Sequence, residues 1–146
     1  MILSSQAGSS RKRILVVDDE PDIVEYLCTA LEDNGYETMG VTEADKALAA
    51  AKSFRPSAML LDVLMPGHSG LALYRDMRLD EALAKVPVIF LSGYPATKQD
   101  GSRTPRWEEW KVPPPEGFLG KPVSISTLLA TIKTILAGEG SGGSNG

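Results

Sequence analysis

Residues 59–66 read Met59-Leu60-Leu61-Asp62-Val63-Leu64-Met65-Pro66. The stretch begins as an apolar run, and it places one carboxylate, Asp62, where that run stops. Because Pro66, Gly67 and Gly70 follow, the chain is expected to turn there. An apolar run followed by turn residues is typical of a buried strand in a parallel sheet. Ligands of open parallel sheets collect at the carboxyl ends of the strands, which is where Asp62 is expected to lie.

Further apolar segments alternate with amphipathic ones along the rest of the chain. The predicted strands are Arg13–Val17, Glu37–Val41, Ala58–Leu61, Pro87–Leu91 and Gly117–Gly120. The predicted helices begin at Pro21, after a Thr42 cap, at Gly70 and after a Ser124 cap. Strands separated by helices of this length pair in parallel through right-handed crossovers. The pattern therefore predicts a single α/β domain with a doubly wound, five-stranded parallel sheet.

Composition limits the possible classes of protein. The chain has 146 residues, a formal net charge of −4, and no basic cluster larger than 11–13. These features argue against direct nucleic-acid binding. No apolar run approaches the length of a membrane span, and residues 1–10 lack the apolar core of a signal peptide. We therefore expect a cytoplasmic protein with a flexible leader at 1–10, one domain at 11–137 and a Gly/Ser-rich tail or linker at 138–146.

Polar residues follow several of the predicted strands. The first strand ends in Asp18-Asp19-Glu20, the third in Asp62 and the fourth in Ser92, and Lys121 follows the fifth. In a doubly wound sheet these ends can surround one crevice. Carboxylates within ~5 Å repel by about 3 kcal/mol per pair at an effective dielectric near 20, so such a site favours a cation. Oxygen ligands suit Mg²⁺, while Lys121 and Ser92 could contact a phosphoryl oxygen.

Each of these residues also has a simpler interpretation when it is taken alone. Asp18 and Asp19 could be acidic residues that the helix dipole favours at a helix N-terminus. Lys121 could be a solvated surface lysine, and Ser92 could only cap the next segment. The combination of all four with Asp62 favours a binding site.

Four motifs, in order and suitably spaced, give the chain a family resemblance. They are Ile14-Leu15-Val16-Val17-Asp18-Asp19-Glu20, Leu61-Asp62-Val63-Leu64-Met65-Pro66 with Gly70, Leu91-Ser92-Gly93 and Lys121-Pro122. Over residues 13–137 the chain resembles the receiver domains of response regulators, the phosphoacceptor modules of two-component signalling. The resemblance implies a flavodoxin-like sheet whose strands, numbered along the chain, take the spatial order 2-1-3-4-5.

The resemblance also implies a role for each site residue. Asp62 is the expected phosphoryl acceptor, and Lys121 is expected to pair with the phosphoryl group. Asp19 and Asp62 are expected to bind Mg²⁺ directly, and Asp18 mostly through water. The backbone carbonyl of Leu64 is expected to complete the protein ligands of the metal.

A second group of residues is implied in the response to phosphorylation. Ser92 is the expected switch hydroxyl, and Phe118 matches an aromatic switch position that is often tyrosine. We expect the Phe118 ring in the apolar core, and we expect the Lys121-Pro122 peptide bond to be cis, as it usually is in the family.

The implied function is Mg²⁺-dependent phosphoryl transfer from a histidine kinase or histidine phosphotransfer protein to Asp62. Phosphorylation would switch a partner-binding or dimerisation surface, and the same site would hydrolyse the phosphate, so the domain is not a conventional enzyme. A receiver-like interaction module that acts without phosphorylation remains an alternative. A third class is a phosphatase of the haloacid-dehalogenase type, which needs an aspartate two residues after its nucleophile. This chain has Leu64 at that position, which argues against the class.

The segment Tyr94–Glu116 departs from the family pattern because it is several residues longer than the resemblance implies. It contains both tryptophans and a proline triplet. It could be a private loop whose aromatic residues cover their own core, or a surface for a homodimer or an output partner, since exposed Trp and Arg favour interfaces. The sequence also leaves open whether the chain is a stand-alone regulator or an excised part of a larger protein.

Overall fold

A computed structural model describes residues 11–65, 68–93 and 112–140 of the chain. Its strands are β1 (Arg13–Val17), β2 (Glu37–Val41), β3 (Ala58–Asp62), β4 (Leu64–Met65), β5 (His68–Ser69), β6 (Val88–Ser92) and β7 (Gly117–Gly120). Its helices are α1 (Pro21–Asp33), α2 (Ala44–Phe54), α3 (Gly70–Leu79) and α4 (Ile125–Gly140). None of these helices combines the length and apolar character that crossing a membrane requires.

Five of the strands form one parallel sheet in the order β2-β1-β3-β6-β7. Counted along the chain as the principal strands, this is the order 2-1-3-4-5, so the predicted topology is confirmed. The short strands β4 and β5 pair antiparallel to each other directly after Asp62. The chain therefore reverses its direction shortly after Asp62, as predicted.

Helices cover both faces of the sheet. The side chains of α2 and α3 pack on one face with Leu15, Met59, Leu61 and Phe90. The side chains of α1 and α4 pack on the other face with Ile14, Val16, Leu60, Ile89 and Leu91. Because both faces are covered, every residue of β3 and of β6 is buried, as expected for central parallel strands.

The helix caps agree with the sequence at one end of the chain and differ at another. Ser124 caps α4, since its Oγ accepts a hydrogen bond from the Thr127 backbone N–H at 3.3 Å. The predicted Thr42 cap is wrong. Glu43 is the N-cap of α2, because its carbonyl accepts the first helical hydrogen bond, from Lys46 N–H. Its side chain makes no capping hydrogen bond. Thr42 therefore lies outside the helix.

Phe118 is not in the apolar core, and this prediction is also wrong. The residue is 50% exposed. Strand β7 is the edge of the sheet, so its side chains have a neighbouring strand on one side only. On that side the Phe118 ring meets Phe90 edge-to-face, with ring centroids 5.5 Å apart.

Several sequence predictions lie outside the described residues. These are the flexible leader at 1–10, most of the atypical segment Tyr94–Glu116, and the tail from residue 141 onward. Helix α4 continues past Ala137 to Gly140, so the predicted domain end falls inside its last turn. The described end of the atypical segment, 112–116, leads directly into β7.

Candidate functional site

The predicted site residues lie together at the carboxyl ends of the strands. Asp18 directly follows β1, and Asp62 ends the adjacent strand β3. Asp62 lies in register with Leu91, so Ser92 is the next residue along the neighbouring strand β6. Lys121 follows β7, and its backbone N–H donates a hydrogen bond to the Ser92 carbonyl at 2.8 Å. The Lys121-Pro122 peptide bond is cis, which confirms that expectation.

Three carboxylates form the floor of this pocket. Asp18, Asp19 and Asp62 each place an oxygen within 4.8 Å of the other two. Asp18 is fully buried and Asp62 is 3% exposed. The loop is fixed locally, because Asp18 Oδ1 accepts a hydrogen bond from the Glu20 backbone N–H at 3.0 Å. A pair of carboxylates at 4.8 Å repels by about 3 kcal/mol at an effective dielectric near 20.

Lys121 is the cation that faces this cluster. Its Nζ lies 2.7 Å from Asp18 Oδ2, 3.5 Å from Asp62 Oδ2 and 3.7 Å from Glu20 Oε1. Burial acts to lower the pKa of Lys121, but contact with Asp18 and the charges of the three acidic residues outweigh it and raise the pKa above its ordinary value. The ammonium therefore stays charged at neutral pH and offsets part of the repulsion.

The donor set fits a hard divalent cation. Mg²⁺ binds carboxylate and carbonyl oxygens and keeps several waters, so ligands can act directly or through water. The ammonium of Lys121, 2.7 Å from Asp18 Oδ2, offsets only part of the repulsion among the three carboxylates. A second cation at these oxygens would offset the remainder. Asp18, Asp19 and Asp62 are the residues that would hold the ion.

The remaining predicted residues lie around this centre. Ser92 is 7% exposed at the end of β6. Leu64 opens the β4–β5 hairpin, two residues past Asp62, and a metal-binding role for its carbonyl stays a prediction. Phe118 is the second residue of β7, three residues before Lys121.

Two residues of the motifs make contacts in the site that the sequence did not assign. Glu20 approaches Lys121 from the exposed rim of the pocket, although its position in the Asp18-Asp19-Glu20 run hinted at it. Gly70 opens α3 directly against Asp62, and its N–H donates to the Val63 carbonyl at 3.2 Å. A Cβ at Gly70 would lie 2.1 Å from the Asp62 carbonyl oxygen and 2.8 Å from Val63 Cα. Only glycine lets the helix begin so close to Asp62.

The Gly70→Ala variant is therefore expected to lose stability. The backbone at Asp62 and Val63 must shift to admit the methyl group, and overpacking of this kind costs about 1–3 kcal/mol. Urea unfolding measures the loss. Gly138→Ala is the matched control, since a Cβ there meets nothing within 4 Å and alanine favours the helix. Equal stability of Gly70→Ala and the parent chain would contradict the predicted clash.

Known proteins resemble this chain in sequence over most of its length. Protein PilH of Pseudomonas aeruginosa is 32% identical over 126 residues, which cover 86% of this chain and 98% of PilH. The phosphate regulon transcriptional regulatory protein PhoB of the same organism is 33% identical over 133 residues, which cover 91% of this chain. The chain spans only 55% of the length of PhoB.

Solved structures give the same assignment. The chemotaxis response regulator CheY4 of Vibrio cholerae superposes with a TM-score of 0.72 at 25% identity, covering 86% of this chain and 99% of that one. The signal receiver domain of a signal transduction histidine kinase from Syntrophus aciditrophicus gives 0.73 at 31% identity, covering 87% and 91%. A family model, the response regulator receiver domain, matches residues 14–133. The chain therefore belongs to the response regulator receiver domain family.

Proposed function

We propose that the chain accepts a phosphoryl group on Asp62 from the phosphohistidine of a histidine kinase or a histidine phosphotransfer protein. The observation that carries this proposal is the position of Lys121, whose ammonium lies 3.5 Å from Asp62 within a cluster of three carboxylates. An acceptor oxygen and a cation for the transferred group are thus adjacent in one pocket at the strand ends.

The transfer needs little covalent work from the protein. An Asp62 carboxylate oxygen attacks the phosphorus and forms a P–O bond. The P–N bond to the donor imidazole breaks, and that nitrogen keeps the electron pair and takes a proton from solvent. When bound at the carboxylates, Mg²⁺ supplies positive charge for the phosphoryl oxygens. Lys121 stabilises the same oxygens from the β7 side, and its position is fixed before the donor arrives.

The aspartyl phosphate then acts as a reversible signal. Water attacks the phosphorus, the P–O bond to Asp62 breaks, and inorganic phosphate leaves the free carboxylate behind. The domain turns over its own phosphate only and is not a conventional enzyme. Ser92, at the end of β6, would bond a phosphoryl oxygen and draw the following loop inward. Phe118 is half exposed, so an inward rotation would bury apolar surface.

The relatives suggest the cellular setting. We propose that this chain works with a histidine kinase and that it does so in the cytoplasm. Mycobacterial MtrA proteins among the relatives are DNA-binding response regulators, and this chain spans 35% of them. The receiver itself would contact no nucleic acid and no membrane. Its output would pass through a homodimer or partner surface that includes Tyr94–Glu116.

Intact-protein mass spectrometry tests the proposal directly. The purified chain is incubated with acetyl phosphate and Mg²⁺, and we expect a gain of one phosphoryl group. Omission of Mg²⁺ or addition of a chelator is expected to prevent the gain. A chain that stays unmodified both with acetyl phosphate and with a panel of phosphorylated histidine kinases would contradict the proposal and favour a module that acts without phosphorylation.

Magnesium itself is expected to stabilise the folded chain. A ligand that binds only the folded state adds about 2.7 kcal/mol at one hundred times its dissociation constant. Thermal unfolding at constant ionic strength, with MgCl₂ replacing NaCl, measures this effect. The matched Asp19→Asn variant is expected to respond much less. An unchanged midpoint for the parent chain at millimolar MgCl₂ would show that the carboxylates hold no ion.

A further inference from the structure

A second network of charged and polar side chains lies at the opposite end of the sheet from the acidic pocket. Its centre is Arg78 of α3, whose side chain is only 2% exposed. The guanidinium donates hydrogen bonds to Tyr74 Oη at 3.0 Å, to the Ala84 carbonyl at 3.1 Å and to the Val86 carbonyl at 2.7 Å. It also pairs with Glu116 Oε1 at 2.9 Å. A buried guanidinium is tolerated because its donors are used and its charge is paired.

The partners of Arg78 tie down the chain that enters β7. Glu116 Oε1 accepts a second hydrogen bond, from the Val88 backbone N–H at 2.7 Å, and Glu116 N–H donates to the Val88 carbonyl at 2.9 Å. Tyr74 Oη donates to the Pro113 carbonyl at 2.6 Å. Burial is the largest influence on Tyr74 and raises its pKa, so the phenol keeps the proton that this bond needs. Residues just before β7 are thus held against both α3 and the start of β6.

Strand β7 needs such an anchor because its own sequence specifies pairing weakly. It has four residues, Gly117-Phe118-Leu119-Gly120, at the edge of the sheet. Glycine weakens a strand because it has no side chain to pack. Register is poorly fixed where neither face is strongly buried, and here Phe118 is half exposed while Leu119 is partly buried. A slip of one residue would exchange the faces of these two side chains.

The register of β7 decides where Lys121 lies. In the observed pairing Gly117 lies opposite Ile89 and Gly120 opposite Ser92. This pairing brings the Lys121 N–H onto the Ser92 carbonyl at 2.8 Å and places the ammonium 3.5 Å from Asp62. A slip of one residue moves a strand by about 3.3 Å, which would carry the ammonium out of contact with the acceptor.

We propose that Arg78, Tyr74 and Glu116 form a register lock that holds β7 in the one pairing that delivers Lys121 to Asp62. In this role the three are positioning residues, since none of them touches the acceptor pocket. The structural part of the proposal stands independently, whereas its consequence for phosphorylation rests on the function proposed above.

Hydrogen exchange in the whole chain, without any phosphodonor, tests the lock itself. In Glu116→Ala we expect the Lys121 amide to exchange at least about tenfold faster, since hydrogen bonds to charged groups are among the stronger ones. The Val63 amide is the internal reference, because it donates to the Leu91 carbonyl on the opposite side of β6. Glu116→Gln keeps an oxygen for Val88 N–H and is expected to show a smaller effect. Tyr74→Phe, which removes only the hydroxyl group, is expected to act in the same direction.

A general loss of stability is separated by a matched variant. Ile14→Val trims a buried residue of β1, and it is expected to accelerate the Lys121 and Val63 amides equally. If the Lys121 and Val63 amides are accelerated equally in Glu116→Ala, and equally in Tyr74→Phe, the proposed lock is overturned. If Glu116→Ala does not fold, Glu116→Gln and Tyr74→Phe decide the matter by the same ratio of exchange rates.

Phosphorylation by acetyl phosphate supplies the second readout. Variants with selectively faster Lys121 exchange are expected to be phosphorylated more slowly than Ile14→Val, and the Lys121 Nζ resonance is expected to shift. If the variants show selectively faster Lys121 exchange but the parent chain is never phosphorylated, the lock is supported and the proposed function is refuted. If the parent chain is phosphorylated but the variants show no selective exchange, the proposed function is supported and the lock is refuted.

Discussion

The Asp62→Asn variant is expected to take up no phosphoryl group from acetyl phosphate, where the parent chain takes up one. An amide oxygen is a far weaker nucleophile than a carboxylate, and the change also removes one of the three negative charges that would hold Mg²⁺. Asparagine has nearly the same shape as aspartate. Because Asp62 is 3% exposed at the end of β3, the substituted side chain also keeps its buried surroundings. Intact-protein mass spectrometry measures the outcome.

The control for this result is Asp76→Asn, which removes a carboxylate from the exposed face of α3. It is expected to be phosphorylated like the parent chain. The Asp62→Asn variant is expected to remain folded, because loss of one carboxylate relieves repulsion within the cluster. Full labelling of the folded Asp62→Asn variant would place the acceptor elsewhere in the chain.

The Lys121→Gln variant is expected to be phosphorylated about 10²-fold more slowly, a loss typical of removing one fixed group that stabilises transition-state charge. Glutamine can still donate a hydrogen bond but carries no charge to oppose the phosphoryl oxygens. The folded chain is also expected to be less stable without Mg²⁺, because the ammonium that lies 2.7 Å from Asp18 is gone. Quenched time courses with acetyl phosphate give the rate, and urea unfolding gives the stability.

Lys133→Gln is the matched control, since Lys133 lies exposed on α4. Its rate and stability are expected to equal those of the parent chain. Lys121→Arg keeps the charge but differs in shape, and we expect it to recover only part of the rate. A Lys121→Gln variant as fast as the control would exclude the ammonium from the transfer step.

The sheet order and the acidic pocket could be predicted because both depend on local patterns. The apolar runs mark the strands, and the polar residues that end them meet wherever parallel strands are adjacent. The Thr42 cap was predicted wrongly because the start of a helix depends on which carbonyl accepts the first hydrogen bond. That choice is made by a single bond, to the Glu43 carbonyl, and nearby polar residues are equally plausible in the sequence.

The environments of Phe118 and Arg78 were beyond local patterns for a different reason. Whether a phenylalanine on a strand is buried depends on what covers the strand, and β7 is an edge. Helical spacing alone could not decide which of Met77 and Arg78 faces inward on α3, and both are buried. The burial of Arg78 depends on Glu116, which is distant in sequence. Such pairs become visible only in three dimensions.

The resting position of Lys121 has a consequence for the timing of the signal. Its ammonium is 2.7 Å from Asp18 and 3.5 Å from Asp62, so it need travel only a short way to meet an incoming anion. In the transfer proposed above, the reaction would thus begin with Lys121 already close to Asp62 and would need little reorganisation. We expect the slow step to follow the transfer, when the segment after Ser92 rearranges and a partner protein can bind the changed surface.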